Sequence, residues 1–230
     1  MKTEKAALFL YLTASLLAVI ATMFEYELLI LITRPIVVPS ILFYYLSIKN
    51  SKANPFFVSV LLLNFIGDTI ILLDLENSTL IIMVPYFLSY LLMIKFAISD
   101  MLKIRFNRKG FIVGGVIFGF LMYLLYVLIQ LFMDTSEELV VPVIVYGFIL
   151  AGYLCMASYG YYSDSTMTML FLLLTALSGS LSDIFYVLFT LIFHFPGFYY
   201  FEFAIQLVSY FFMVKYFVLR ENRQSVLVVT

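Results

Sequence analysis

Eight long apolar runs, separated only by short polar stretches, dominate this sequence. They lie at about 6–24, 28–48, 56–73, 79–99, 111–132, 139–160, 167–192 and 199–219. A bilayer core is crossed by about 20 helical residues, and a spanning segment must satisfy its own backbone hydrogen bonds. The expected fold is therefore an all-α integral membrane protein of eight transmembrane helices, a single polytopic domain over 1–230. Composition agrees: 64% of the 230 residues are apolar and 12% are charged. A soluble domain has about 45–50% and 25%, so a water-soluble globule is excluded. Net charge is −1, without a long basic block, which excludes a nucleic-acid partner and disorder.

Other chemistry is limited by what is scarce. One cysteine, Cys155, and one histidine, His194, rule out an intrachain disulfide framework and a Cys/His zinc site. A carboxylate-only metal site stays open. No Walker loop, Rossmann fingerprint or HExxH motif occurs, so no cofactor is expected. The run from Ala6 to Phe24 is long for a signal-peptide core and lacks an A-x-A site, so it reads as the first span.

Charges between the runs alternate. Lys2, Lys5, Lys49, Lys52, Lys103, Arg105, Arg108, Lys109, Arg220 and Arg223 fall on one side. Glu25, Glu27, Asp74, Glu76, Asp134, Glu137 and Glu138 fall on the other, with no Lys or Arg. The positive-inside rule then predicts both termini in the cytoplasm. The connection after the sixth run carries only Asp164 and gives no positive signal.

Two segments are alike. SYLLMIKFAI begins at Ser89 and SYFFMVKYFV at Ser209, an offset of 120. Gly67-Asp68 and Ser182-Asp183 stand at an offset of 115. The similarity favours two parallel four-helix repeats, 1–109 and 110–230, over coincidence in a small apolar alphabet.

Six charges remain inside the runs: Arg34, Lys95, Lys215, Asp68, Asp183 and Glu202. Lys95 and Lys215 lie about one turn from the basic end, where their stems can snorkel. Counting inward from the opposite end, Arg34, Asp68, Asp183 and Glu202 lie roughly 9, 8, 13 and 5 Å deep. Spans 2, 3, 7 and 8 thus contribute to one polar layer, read as a site rather than a simple structural pair. One guanidinium cannot compensate three carboxylates in low dielectric. A protonated acid beside an ionised one is the expected arrangement, which is what general acid/base catalysis uses.

Polar neighbours reinforce the layer. Asn64 is one turn before Asp68, Ser180 and Ser182 adjoin Asp183, and Gln206 is one turn after Glu202. Tyr86, Tyr90, Tyr126, Tyr146 and Tyr186 fall at comparable depths, where packing is each one's default role. Pro35 and Pro39 free backbone carbonyls beside Arg34. A Ser182–His194–Asp183 triad is disfavoured, because adjacent helix residues point apart. Gly110, Gly114, Gly115 and Gly119 give two GxxxG spacings, read as close helix packing. Cys155 reads as a small core residue.

These residues resemble the YhhN-type membrane proteins, the lysoplasmalogenase family. That family carries Lys-Pro-x-x-x-Pro in span 2, Gly-Asp in span 3 and Ser-Asp late in the chain. The counterparts here are Arg34-Pro35-Ile36-Val37-Val38-Pro39, Gly67-Asp68 and Ser182-Asp183. The likeness extends over nearly the whole chain. Two departures stand out. Arg34 replaces the family's Lys. The span-4 stretch Tyr86-Phe87-Leu88-Ser89-Tyr90-Leu91-Leu92-Met93 lacks the His that the family often has there.

The resemblance implies hydrolysis of the vinyl ether of a lysoplasmalogen taken from the bilayer, releasing a fatty aldehyde. Asp68 and Asp183 would be the catalytic carboxylates. Arg34, Glu202, Asn64, Ser182, Tyr90 and Tyr146 would bind substrate or balance charge. Two other classes compete: a proton-coupled transporter, which needs pathways to both faces, and a non-catalytic lipid binder, suggested by the absent His.

Overall fold

The computed structural model describes residues 2–49, 53–73, 79–133 and 137–229. They form α1 (Lys2–Met23), α2 (Glu27–Ile48), α3 (Pro55–Leu72), α4 (Thr79–Met101), α5 (Arg108–Phe132), α6 (Glu137–Ser163), α7 (Met167–Val187) and α8 (Pro196–Val229). A π-helical turn, Leu188–Phe193, follows α7. Eight helices are long and apolar enough to cross a membrane, which makes the chain an integral membrane protein. Lys52, Asp74, Glu76 and Asp134, four of the charges used to orient it, lie outside the described residues.

Short connections make each consecutive pair an antiparallel hairpin: α1–α2, α3–α4, α5–α6 and α7–α8. Further packing joins α2 to α3, α6 to α7, α4 to α6, and α8 to α2. Adding four to each helix number, counted cyclically, carries the first of these contacts onto the second and the third onto the fourth.

Lipid offers helices no hydrophobic drive to associate, so close approach of small residues matters. Ala14, Ala18 and Ala21 form one fully covered stripe on α1, and α2 packs against this helix. On α5, a Cβ on Gly110 would meet Ser163 Oγ at 2.6 Å, and one on Gly114 would meet Cys155 Sγ at 3.2 Å. The first GxxxG spacing is therefore the α5–α6 contact. The second is not, because nothing lies within 4 Å of a Cβ on Gly115 or Gly119.

Two features position the polar layer. Prolines sit inside α2 (Pro35, Pro39), α4 (Pro85) and α6 (Pro142). Each lacks an N–H and leaves the carbonyl one turn earlier without its helical donor. At the other end an aromatic stack seals the bundle. Phe57 lies on Phe217 with ring centroids 3.7 Å apart, and Phe96 and Tyr45 meet this pair edge-on.

α8 runs ten residues beyond the apolar stretch that ends at 219. It does so because Arg220, expected in a tail, is buried at 7% exposure. Its Nε lies 2.8 Å from Asp100, to which Tyr216 also donates at 2.7 Å.

Candidate functional site

Asp183, on α7, accepts hydrogen bonds from two tyrosines. Tyr90 of α4 donates at 2.7 Å and Tyr146 of α6 at 3.0 Å. Asp68, on α3, has three donors. They are Tyr86 of α4, Gln206 of α8 at 2.9 Å, and Tyr210 of α8, which lies 2.8–2.9 Å from both carboxylate oxygens. Gln206 also donates to the Tyr86 hydroxyl at 2.8 Å. Both carboxylates are held by neutral donors and keep some accessible surface.

The segments aligned at an offset of 120 cross over. Tyr90, from the first, serves Asp183 in the second half of the chain, and Tyr210, from the second, serves Asp68 in the first. Tyr86 and Gln206, also 120 apart, both reach Asp68.

Small cavities adjoin the two carboxylates. One of about 50 Å³ is lined by Asp183, Tyr146, Glu202, Tyr86 and Gln206. A second, about 10 Å³, is lined by Asp68, Arg34, Glu202 and Gln206. Glu202 and Gln206 belong to both walls. A third, apolar crevice of about 60 Å³ lies between α5, α6 and α7, with Asp183 and Tyr146 among its lining. A cavity needs only about 10–15 Å³ for a water molecule, so the larger two have room for a few. The four charges of the polar layer are thus gathered around adjoining cavities.

Arg34 is placed differently from a simple ion-pair partner. Its guanidinium stacks 4.2 Å from the Phe203 ring centroid and donates to Tyr199 at 2.6 Å and Thr22 at 3.0 Å. It makes no ion pair within 4 Å among the described residues, and its Nε is buried without a protein partner. Cation–π stacking and hydroxyls hold it beside Asp68 and Glu202 rather than on them.

The remaining expected site residues act at one remove. Asn64 donates to Ser89 at 2.8 Å and to its own helix, not to Asp68. It lines a cavity of about 20 Å³ shared with Asp183, Tyr90 and Tyr210. Ser182 donates to the Glu202 backbone carbonyl at 3.0 Å, fixing α7 against α8. His194 is exposed, with φ at 49°, just past the π turn, so no Ser182–His194–Asp183 triad assembles. Tyr126 is 60% exposed on the outside of α5.

Lys95 is exposed at the basic end, 3.6 Å from the Phe56 centroid, as a snorkelling lysine would be. Lys215 is half-buried and donates to Tyr44 at 2.9 Å. No group of three His, Cys, Asp or Glu placed to hold a metal ion occurs among the described residues.

Sequence reasoning left three site residues in lesser roles. Tyr86 and Gln206 stood only as polar neighbours, and Tyr210 was not singled out. The signal for Tyr210 was the likeness of the two segments, in which it occupies the place of Tyr90. The Asp100–Arg220 pair was missed too, although those residues also stand 120 apart, two positions beyond the aligned segments.

Comparisons with protein-family models, with curated proteins and with solved structures return no match.

Proposed function

We propose that this chain is a membrane-embedded hydrolase of the lysoplasmalogenase type, cleaving a vinyl ether by carboxylate general acid/base catalysis. The observation that carries the reading is the pair of hydroxyl-caged carboxylates, Asp68 and Asp183, beside cavities walled by Glu202, Gln206 and Tyr86. A vinyl ether is hydrolysed by protonation at its outer alkene carbon, which leaves an oxocarbenium ion. Water adds to that cation and returns a proton. The hemiacetal then breaks to an aldehyde and the glycerol hydroxyl. One carboxylic acid supplies the proton, and a nearby carboxylate steadies the cation.

The absent span-4 His fits this scheme. The stretch where the family often carries it here supplies the Tyr86 and Tyr90 hydroxyls, one on each carboxylate. The apolar crevice ending at Asp183 marks a route by which an alkyl chain would enter from the bilayer once α5 and α7 part. A transporter is disfavoured. Among the described residues, the aromatic stack around Phe57 and Phe217 and the Asp100–Arg220 pair pack the basic end, which argues against a second pathway there. The positive-inside distribution puts that end, with both termini, in the cytoplasm.

The test is aldehyde release from a lysoplasmalogen by purified protein. Activity is expected in the parent and lost in Asp68→Asn and in Asp183→Asn. Folded protein that releases no aldehyde at any pH, or a fully active double variant, overturns the reading.

A further inference from the structure

Far from the carboxylates, at the basic end, α4, α5 and α6 enclose an apolar groove of about 670 Å³, against about 60 Å³ for the crevice at Asp183. Phe106, Phe111, Phe118 and Met156 wall it, and Gly115 leaves it open on the α5 side. Its volume falls in the range of about 300–1,000 Å³ typical of small-ligand sites. Leu102 and Phe106, at its mouth, are 82% and 71% exposed.

The mouth is basic. Lys103 and Arg105 alternate with the groove residues Leu102, Ile104 and Phe106, and Arg108 and Lys109 open α5 directly before Phe111. All four cations are exposed. Lys103 approaches Asp100 at 3.7 Å. Arg105, Arg108 and Lys109 make no ion pair within 4 Å among the described residues. An apolar trough whose lining is interleaved in sequence with four exposed cations, at the basic end of the bundle, complements one class of molecule. The acyl chain fits the trough, and an anionic headgroup fits the cations.

We propose that this groove is a binding site for an anionic phospholipid, separate from the carboxylate layer and independent of what that layer catalyses. The occupant is a whole lipid, because neither half of the site explains the other. A free phosphate has no use for the groove, and a zwitterionic lipid has no net charge for the cations to meet.

The experiment measures lipid retention by the full chain in detergent, by native mass spectrometry. Phosphatidylglycerol, phosphatidylcholine and glycerol phosphate are each added to delipidated protein. Phosphatidylglycerol should be retained at least about tenfold more tightly than phosphatidylcholine, since each basic residue near a headgroup favours anionic lipid. Glycerol phosphate should not be retained. Replacing Lys103, Arg105, Arg108 and Lys109 together by Gln should abolish the preference. Gly115→Leu should weaken retention of phosphatidylglycerol, because its side chain enters the groove without meeting a neighbour at Cβ. Equal retention of the two lipids by the parent overturns the proposal without recourse to any variant. So does glycerol phosphate binding as well as the whole lipid, or a preference that survives in the folded quadruple variant.

Discussion

At the scale of single residues, the site is a problem of placing hydroxyls on carboxylates. Tyr90 and Tyr146 hold Asp183, and Tyr86, Tyr210 and Gln206 hold Asp68. A hydrogen bond to a charged group contributes about 1.5–3 kcal/mol. Tyr90→Phe and Tyr210→Phe should therefore each lower the turnover number for vinyl-ether hydrolysis about ten- to a hundredfold. Tyr126→Phe, on the exposed side of α5, should leave turnover unchanged. Steady-state kinetics on the three variants check this, and equal effects in all three would remove the special role of the cages. The Asp100–Arg220 pair makes a different prediction. Removing one partner of a buried pair costs about 3–5 kcal/mol, whereas replacing both by apolar residues is often close to neutral. Asp100→Leu should thus melt well below the parent, and Asp100→Leu with Arg220→Met should recover most of the loss.

How far these residues were readable depended on what set their roles. Asp68, Asp183, Arg34 and Glu202 announce themselves, because a charge inside an apolar run has few innocent explanations. A tyrosine does not. Its ring is at home anywhere in such a helix, and only the neighbouring helix decides whether its hydroxyl meets a carboxylate. Tyr126 and Tyr146 looked equivalent by depth, yet one faces outward and the other binds Asp183. Arg220 was misplaced for a related reason. Hydropathy ends a span at the first charge, whereas a helix ends where its backbone does, and Asp100 across the bundle keeps this one buried.

At the scale of helices, the eight spans were legible to within a few residues at most ends, α8 excepted, since polar punctuation and span length leave little freedom. The π turn after α7 was not, because it has no sequence signature in an apolar run. Such turns often occur beside functional sites, and this one closes the helix that carries Asp183. α5 has the least buried span of the eight, and it packs chiefly on α6. The crevice between α5, α6 and α7 holds only about 60 Å³, too little for a lipid chain, so on the proposed reading entry of the substrate requires α5 to move away from α7. Leu128 of α5 and Val187 of α7 both line it. Joining Leu128→Cys and Val187→Cys with a reducible thiol-to-thiol cross-linker, in a Cys155→Ser background, should suppress hydrolysis. Reduction of the linker should restore it. Full activity in the cross-linked form would mean that the substrate enters elsewhere.

At the scale of the whole molecule, the bundle has two unlike ends. Toward the acidic loops, proline-interrupted helices surround cavities reached by Asp183, Glu202 and Arg34. Toward the basic loops, Phe57, Phe96 and Phe217 stack, Lys215 is tied to Tyr44, and Arg220 is tied to Asp100. On the proposed reading, the described residues form a pocket with one floor rather than a passage. Access to the site should therefore be one-sided, and a single cysteine can report it. Met83 lines the cavity that holds Asp183 and Glu202. Met83→Cys, in a Cys155→Ser background, should react with a membrane-impermeant thiol reagent added from the side of the acidic loops. It should stay protected from the same reagent added on the side of the termini. On the positive-inside reading, the reactive side of intact cells is the outside. Equal labelling from both sides would mean that the floor opens. That outcome would restore the transporter as the better account of the same carboxylates.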